Sequence, residues 1–399
     1  MAYIYAQINK ATLVHIVTSK RVTTDFIASR IKVSKEKIEQ WLDISSTALP
    51  TLNQAKEMAA CLHTPFVALY MNPQDIKLQE IPSIKNMRSM YDERFSDDSS
   101  LHIAIIDLLL ERSFLADAQA ELGIAPPAFN PIIPQYEDVT LWASEIRRFF
   151  DIRLDTQYKC TSQRKFYLYL RSQIEKRGIF VHCFTDVPLA VARGLAIYDS
   201  STPIIGVNED DRPPAKSFSI IHEIVHLFKR ESSLCNETFN SFASRQEEIF
   251  CNAVAGEVLV PRAALDSILQ SSRYKTPYSL DDIKKIADRF SVSREVIIRR
   301  LLDIQKIDET EYHSYADDIH REIERDKEEQ RIARQEGRAK GFAQEPSLLA
   351  VDRTSPAVCT ALFQGYCESI YSKRDIANHI GIDQKYVDKF LMEVSSWIK

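Results

Sequence analysis

The chain has 399 residues, enough for several domains and a large buried core, and its 51 basic and 56 acidic side chains nearly balance. That balance excludes a bulk attraction to nucleic acid or anionic membrane, so any DNA-binding surface must be local. The opening MAYIYAQINK has no signal-peptide pattern, the longest apolar runs are too short to span a bilayer, and seven cysteines without a CxxC pair argue against a disulfide framework; a cytoplasmic protein is expected.

In chain order, the segment to about Pro73 reads as short helices, with apolar residues at helical spacing in TDFIASRIKVSKEKIEQW and again in PTLNQAKEMAACLHTPFVALY. A polar, proline-interrupted connector follows, then a long helix over 99–121, closed by Gly123 and APPAFNPIIP. RKFYLYLRSQIEKRG predicts a helix ending at Gly178, and IFVHCF, GLAIYD and PIIGVN predict three strands. The helix PPAKSFSIIHEIVHLF starts on two prolines, which suit a first helical turn. From 306 to 341 the chain is densely charged, with Asp317–Arg321 and Glu328–Arg331 spaced for pairing on a solvated helix. GFAQEPSLLAVDRTSP reads as a linker to a last helical segment. The expected class is α+β, helix-rich and multidomain. Its units are an all-α helix-turn-helix domain (1–78), a connector and helix (79–135), an α+β core with a small sheet (136–270), a helix-turn-helix-like subdomain (271–305), a charged helix (306–341) and a helical C-terminal domain (342–399).

One pattern recurs three times: IASRIKVSKEKI, IADRFSVSREVI and IANHIGIDQKYV. In each, a small alanine permits close helix approach, and a Ser or Asp opens a second helix after a three-residue turn, which is helix-turn-helix logic. The first copy would present Ser34, Lys35, Lys37 and Gln40 to phosphates and base edges, although the first 80 residues carry only nine basic against seven acidic side chains.

In the helix over 213–228, His222 and His226 lie one turn apart on one face, so both imidazoles can reach one ion, while Glu223 projects about 100° away as a general base would. Three polar side chains in an otherwise apolar helix need partners. The third ligand is sought in RQEEIFCNAVAGEVLVP, itself helical. A carboxylate suits a site already holding two neutral imidazoles. Glu248 is preferred to Glu247, which points about 100° elsewhere, and Asn252, one turn on, can bond the back of a ligand histidine. Cys251 reads as a small packing residue.

Together ARGLAIYDSSTPIIGVNEDDRPPAKSFSIIHEIVHLF and EEIFCNAVAGEVLVP resemble the ImmA/IrrE family of metallopeptidases, and IADRFSVSREVIIRRLLDIQKI is similar to the segment that follows the core there; the likeness covers about 136–305. The resemblance implies a zincin-like endopeptidase with Zn2+ on His222, His226 and Glu248 and Glu223 as base. It further implies a substrate among helix-turn-helix repressors that govern mobile-element or DNA-damage genes. The first 73 residues resemble phage-repressor helix-turn-helix domains, with two departures: Lys32 in place of a turn glycine, and WLDIS in place of Trp-Glu-x-Gly. PIIGVN is the expected sheet edge for an extended substrate, and Tyr198 a candidate to steady the oxyanion. Three readings stay open: a protease acting on a regulatory protein, a DNA-binding regulator whose peptidase-like domain senses a signal, and a scaffold with a structural zinc.

Overall fold

The computed structural model describes residues 4–78, 81, 99–200, 202–235, 242–270, 276–335 and 345–396. Most of the expected connector between 79 and 98 therefore lies outside the described residues. The N-terminal unit contains α1 (Lys10–Ser19), α2 (Thr24–Ile31), α3 (Lys35–Leu42) and α4 (Leu52–Cys61), followed by a 3-10 turn at Phe66–Tyr70. Leu13, Ile16, Ile27, Ile38, Trp41 and Met58 fill its core. Between α2 and α3, Lys32 takes the left-handed conformation at φ 54°, so a lysine holds the turn position where a glycine is usual.

The chain then enters α5 (Ser99–Glu121), which is buried on several sides, as a helix apolar nearly all round must be. Ile103 joins the N-terminal core, whereas Leu101, Leu108 and Leu115 belong to a second core. At the N-terminal end of α5, Ser99 Oγ accepts from the Thr23 amide at 2.8 Å and His102 Nδ1 donates to Arg21 O at 3.0 Å, fastening the first unit to the helix.

Next come α6 (Val139–Phe149), α7 (Leu154–Lys159) and α8 (Gln163–Glu175), then β1 (Phe180–Phe184), β2 (Gly194–Ile197), β3 (Ile204–Asn208), α9 (Pro213–Phe228) and β4 (Ser233–Cys235). The three expected strands form, and β4 adds a fourth that is too short and polar to stand out in the sequence. The sheet order is β1-β3-β2-β4, parallel only between β1 and β3. PIIGVN, expected as the substrate edge, is thus an interior strand with neighbours on both sides. Its Ile204, Ile205 and Val207 are all buried, as a run without polar alternation demands. The edge next to the α9 motif belongs to β4.

One face of the sheet packs on α8 and α9, and α9 in turn meets α10 (Phe242–Leu259); these share the largest core of the described residues with α11 (Arg262–Leu269), α12 (Leu280–Phe290) and α13 (Arg294–Asp303). The long α14 (Glu309–Gln335) is mostly exposed; Glu328 pairs with Arg331 as expected, but Arg321 meets Asp318 rather than Asp317. The other face packs on α5 and α15 (Pro346–Arg353), and α16 (Pro356–Cys367), α17 (Lys373–Ile380) and α18 (Val387–Ser395) share the core formed there. Most of the expected linker is therefore helical: Pro346 sits in the first turn of α15, and Ala350 and Val351 are buried. The described part of the segment 342–399, residues 345–396, shares its apolar core with α5 and the sheet. Polar bonds reinforce this joint, since buried Arg171 donates to Asp352 O and Arg353 O while Glu175 accepts from Ser355 Oγ and the Ala357 amide.

Candidate metal centre

Every residue of α9 from Ser219 to Phe228 is buried, with strands on one side and α8 and α10 on others. An apolar helix can sit there without cost, but its two histidines and glutamate need polar partners. The partner of both histidines is Glu248 on α10. His222 Nε2 lies 3.0 Å from Glu248 Oε2, His226 Nε2 lies 3.5 Å from Glu248 Oε1, and the two Nε2 atoms are 3.3 Å apart.

Those spacings test whether the three residues fit a metal ion. Tetrahedral ligands about 2.0–2.1 Å from a zinc ion lie about 3.3–3.4 Å from one another. The observed 3.0–3.5 Å brackets that value. Two imidazole nitrogens facing each other at 3.3 Å cannot both keep a lone pair inward without a shared positive partner. His222 Nδ1 bonds Asn252 Oδ1 at 2.9 Å; an amide oxygen only accepts, so Nδ1 carries the proton and Nε2 presents its lone pair to the centre. The donor set therefore fits a cation, and among the described residues no cysteine joins it. Cys251, buried on the neighbouring turn of α10, packs in the core, and burial pushes its thiol up to about 12.

The α10 helix that delivers Glu248 is pinned at its C-terminal end. Arg147 Nη1 donates to Val258 O at 2.6 Å, Gln157 Nε2 to Leu259 O at 2.9 Å and Arg300 Nε to Val260 O at 3.1 Å, satisfying carbonyls that a helix end leaves open. Arg300 also pairs with buried Glu257, so the helix opened by the second copy of the repeat is bolted to the helix that carries Glu248.

Glu223 is fully buried against the strands. Its Oε2 accepts from Ser233 Oγ of β4 at 2.5 Å, while its Oε1 has no hydrogen-bond partner among the described residues. A Cβ on Gly194 would sit 3.2 Å from that second oxygen, so the missing side chain on β2 leaves the carboxylate its room. Burial pushes the Glu223 carboxyl up to about 7, with Glu248 acting in the same direction and His222 and Ser233 against it. A cation held by the two histidines would draw it back down.

The sequence-chosen residues therefore divide into two places. His222, His226, Glu248 and Asn252 come together with Glu223 beside them. Ser34, Lys35, Lys37 and Gln40 are all exposed around α3 in the N-terminal unit, and Lys35 is engaged with Asp25 at 2.7 Å. Glu247, the alternative ligand, is half-buried and reaches toward Lys229 at 3.7 Å; with Glu231 it borders His226 on a second side. Tyr198 follows β2 and donates its amide to Ser232 Oγ at 2.9 Å, next to the start of β4. Sequence reasoning missed Ser233 and Gly194. The serine sits in a three-residue strand without pattern, whereas the glycine, opening an apolar strand, was a usable sign of close approach.

No curated protein matches the chain. Residues 175–302, which carry all four of His222, Glu223, His226 and Glu248, match the family model Peptidase_M78, described as an IrrE N-terminal-like domain.

Proposed function

We propose that this chain is a zinc-dependent endopeptidase that cleaves a cytoplasmic regulatory protein, a helix-turn-helix repressor or similar partner, to control a stress, prophage or defence response. The observation that carries the reading is the convergence of His222 Nε2, His226 Nε2 and the Glu248 carboxylate, within 4.8 Å of one another, inside the region that matches a metallopeptidase family. His222, His226 and Glu248 would hold the ion, a three-residue set that leaves a position open, as catalytic zinc sites do and closed structural ones do not. When bound, zinc supplies Lewis acidity to the scissile carbonyl and lowers the pKa of water to about 7. Glu223 takes the proton from the attacking water and delivers it to the leaving amine, so no covalent intermediate is needed. Asn252 keeps His222 in the tautomer that points its lone pair inward. An extended substrate segment would add to the outer edge of β4, next to Glu223.

Residues 1–78 would recruit the partner or hold the enzyme on DNA. The exposure of Ser34, Lys35, Lys37 and Gln40 favours a second reading, a DNA-binding regulator whose peptidase-like domain acts as a sensor. One experiment separates the two: comparison of new protein N-termini in cells expressing the wild type or Glu223→Gln. A discrete neo-N-terminus in a regulatory protein that vanishes with the variant is expected. Identical sets of termini would reject the peptidase and leave the sensor.

A further inference from the structure

The hydroxyl of Ser233 is placed to do more than fill the edge of a sheet. It is buried, it lies on the edge strand, and its bond to Glu223 Oε2 is 2.5 Å long. Ser233 is in register with Ala196 and Cys235 with Gly194, so the glycine that makes room for Glu223 Oε1 and the serine that grips Oε2 lie on adjacent strands two positions apart. The carboxylate is thereby oriented: one oxygen is committed to β4, and the other has no hydrogen bond among the described residues. A carboxylate free to rotate would present either oxygen, in several rotamers, to an attacking water. One held by a hydroxyl presents a single oxygen in one orientation, and proton transfer depends steeply on that geometry.

We infer that Ser233 is a positioning residue for the general base, so that the strand receiving the substrate backbone also sets the orientation of the group that activates water. The inference rests on the peptidase reading given above. Because Ser233 touches neither the histidines nor Glu248 among the hydrogen bonds of the site, its loss should leave metal binding intact. Its effect should appear in turnover rather than in substrate affinity.

The test uses the full chain loaded with zinc and a library of internally quenched peptides as probe, with Ser233→Ala, Ser233→Thr, Glu223→Gln and the double variant Ser233→Ala/Glu223→Gln. Zinc content should be the same in all. Ser233→Ala should lower kcat about tenfold with KM within about twofold, the loss of one hydrogen bond to a charged group; Ser233→Thr, which keeps the hydroxyl, should restore most of it. In the Glu223→Gln background, removing the hydroxyl should cost nothing further. Full activity in Ser233→Ala, an equal loss in Ser233→Thr, or an additive loss in the double variant would each overturn the role. A second readout is independent of turnover. The thermal midpoints of the metal-free wild type, Ser233→Ala, Glu223→Gln and the double variant should be non-additive if the bond holds Glu223, and additivity there would overturn the proposal even if no peptide were cut. Coupled midpoints with no Glu223-dependent cleavage by the wild type would instead reject the peptidase reading, leaving the bond as a structural one and the proposed role with nothing to act on.

Discussion

The first and second copies of the repeat share a local design and differ in nearly everything around it. In both, a helix ends on a residue in the left-handed region, Lys32 at φ 54° and Ser291 at φ 57°, and a serine then opens the next helix. Ile38 and Ile297 occupy equivalent positions four residues after those serines, and both are fully buried. Beyond that the surroundings diverge. Around α3, Ser34, Lys35, Glu36, Lys37, Glu39 and Gln40 all face solvent. On α13 the position equivalent to Lys37 is Val296, which is buried, Arg294 reaches Glu322 on α14, and Arg300 is locked to Glu257 on α10. The same turn therefore makes a presented helix in one place and a brace for the helix that carries Glu248 in the other. What separates them is the residue type on the outer face of the second helix, which the twelve-residue pattern does not specify.

Breaking the brace should give the largest effect. Arg300→Ala would strip the buried Glu257 carboxylate of its ion-pair partner and leave it the Arg262 amide, a loss of about 3–5 kcal/mol, visible as a strongly lowered thermal midpoint together with reduced zinc retention. No residue on the exposed face of α3 should have a comparable effect. The paired substitutions Ile38→Ala and Ile297→Ala come next. Each removes a fully buried aliphatic side chain and should cost about 2–5 kcal/mol. Only Ile297→Ala should also weaken zinc binding, because α13 packs on α10, which carries Glu248. Equal zinc loss in both variants, read by metal analysis, would dissolve the distinction between the copies.

The turn itself should respond more modestly. The third copy has Gly381 at the left-handed position, at φ 67° with open space around it, so Gly381→Ala should lose about 1 kcal/mol, while Lys32→Gly should gain about 0.5–1 kcal/mol in urea unfolding. A loss in Lys32→Gly would mean that the lysine side chain contributes packing beyond the turn. The smallest stability effect belongs to the exposed pair Lys35 and Asp25, where Lys35→Ala should change stability by less than about 1 kcal/mol. If residues 1–78 bind DNA with Lys35 on a phosphate, the same variant should flatten the slope of log K against log salt by about 0.9.

Much of the arrangement is legible in the sequence wherever a residue's role is set by its own helix. His222 and His226 share a face because four residues make about one turn, and Glu248 and Asn252 repeat that spacing on α10. The 99–121 helix and the strands of the sheet likewise announce themselves by apolar length and flanking turns. What cannot be read there depends on which elements meet. Strand order is not a local property, so PIIGVN reads as an edge although β1 and β2 flank it, and the edge strand beside α9, Ser233–Cys235, is too short to carry a pattern. Pro346 reads as part of a linker because a proline can open a helix or interrupt a chain, and only the burial of Ala350 and Val351, on a helix packed on α18 and β1, decides between them.

Whether His222, His226 and Glu248 form one zinc site is decided by the metal content of the full chain purified without added metal. Close to one zinc per chain is expected in the wild type and in Glu223→Gln, with most of it lost in His226→Ala and in Glu248→Ala while the far side of the sheet stays folded. A Glu248→Ala protein that keeps its full complement of zinc would contradict the assignment.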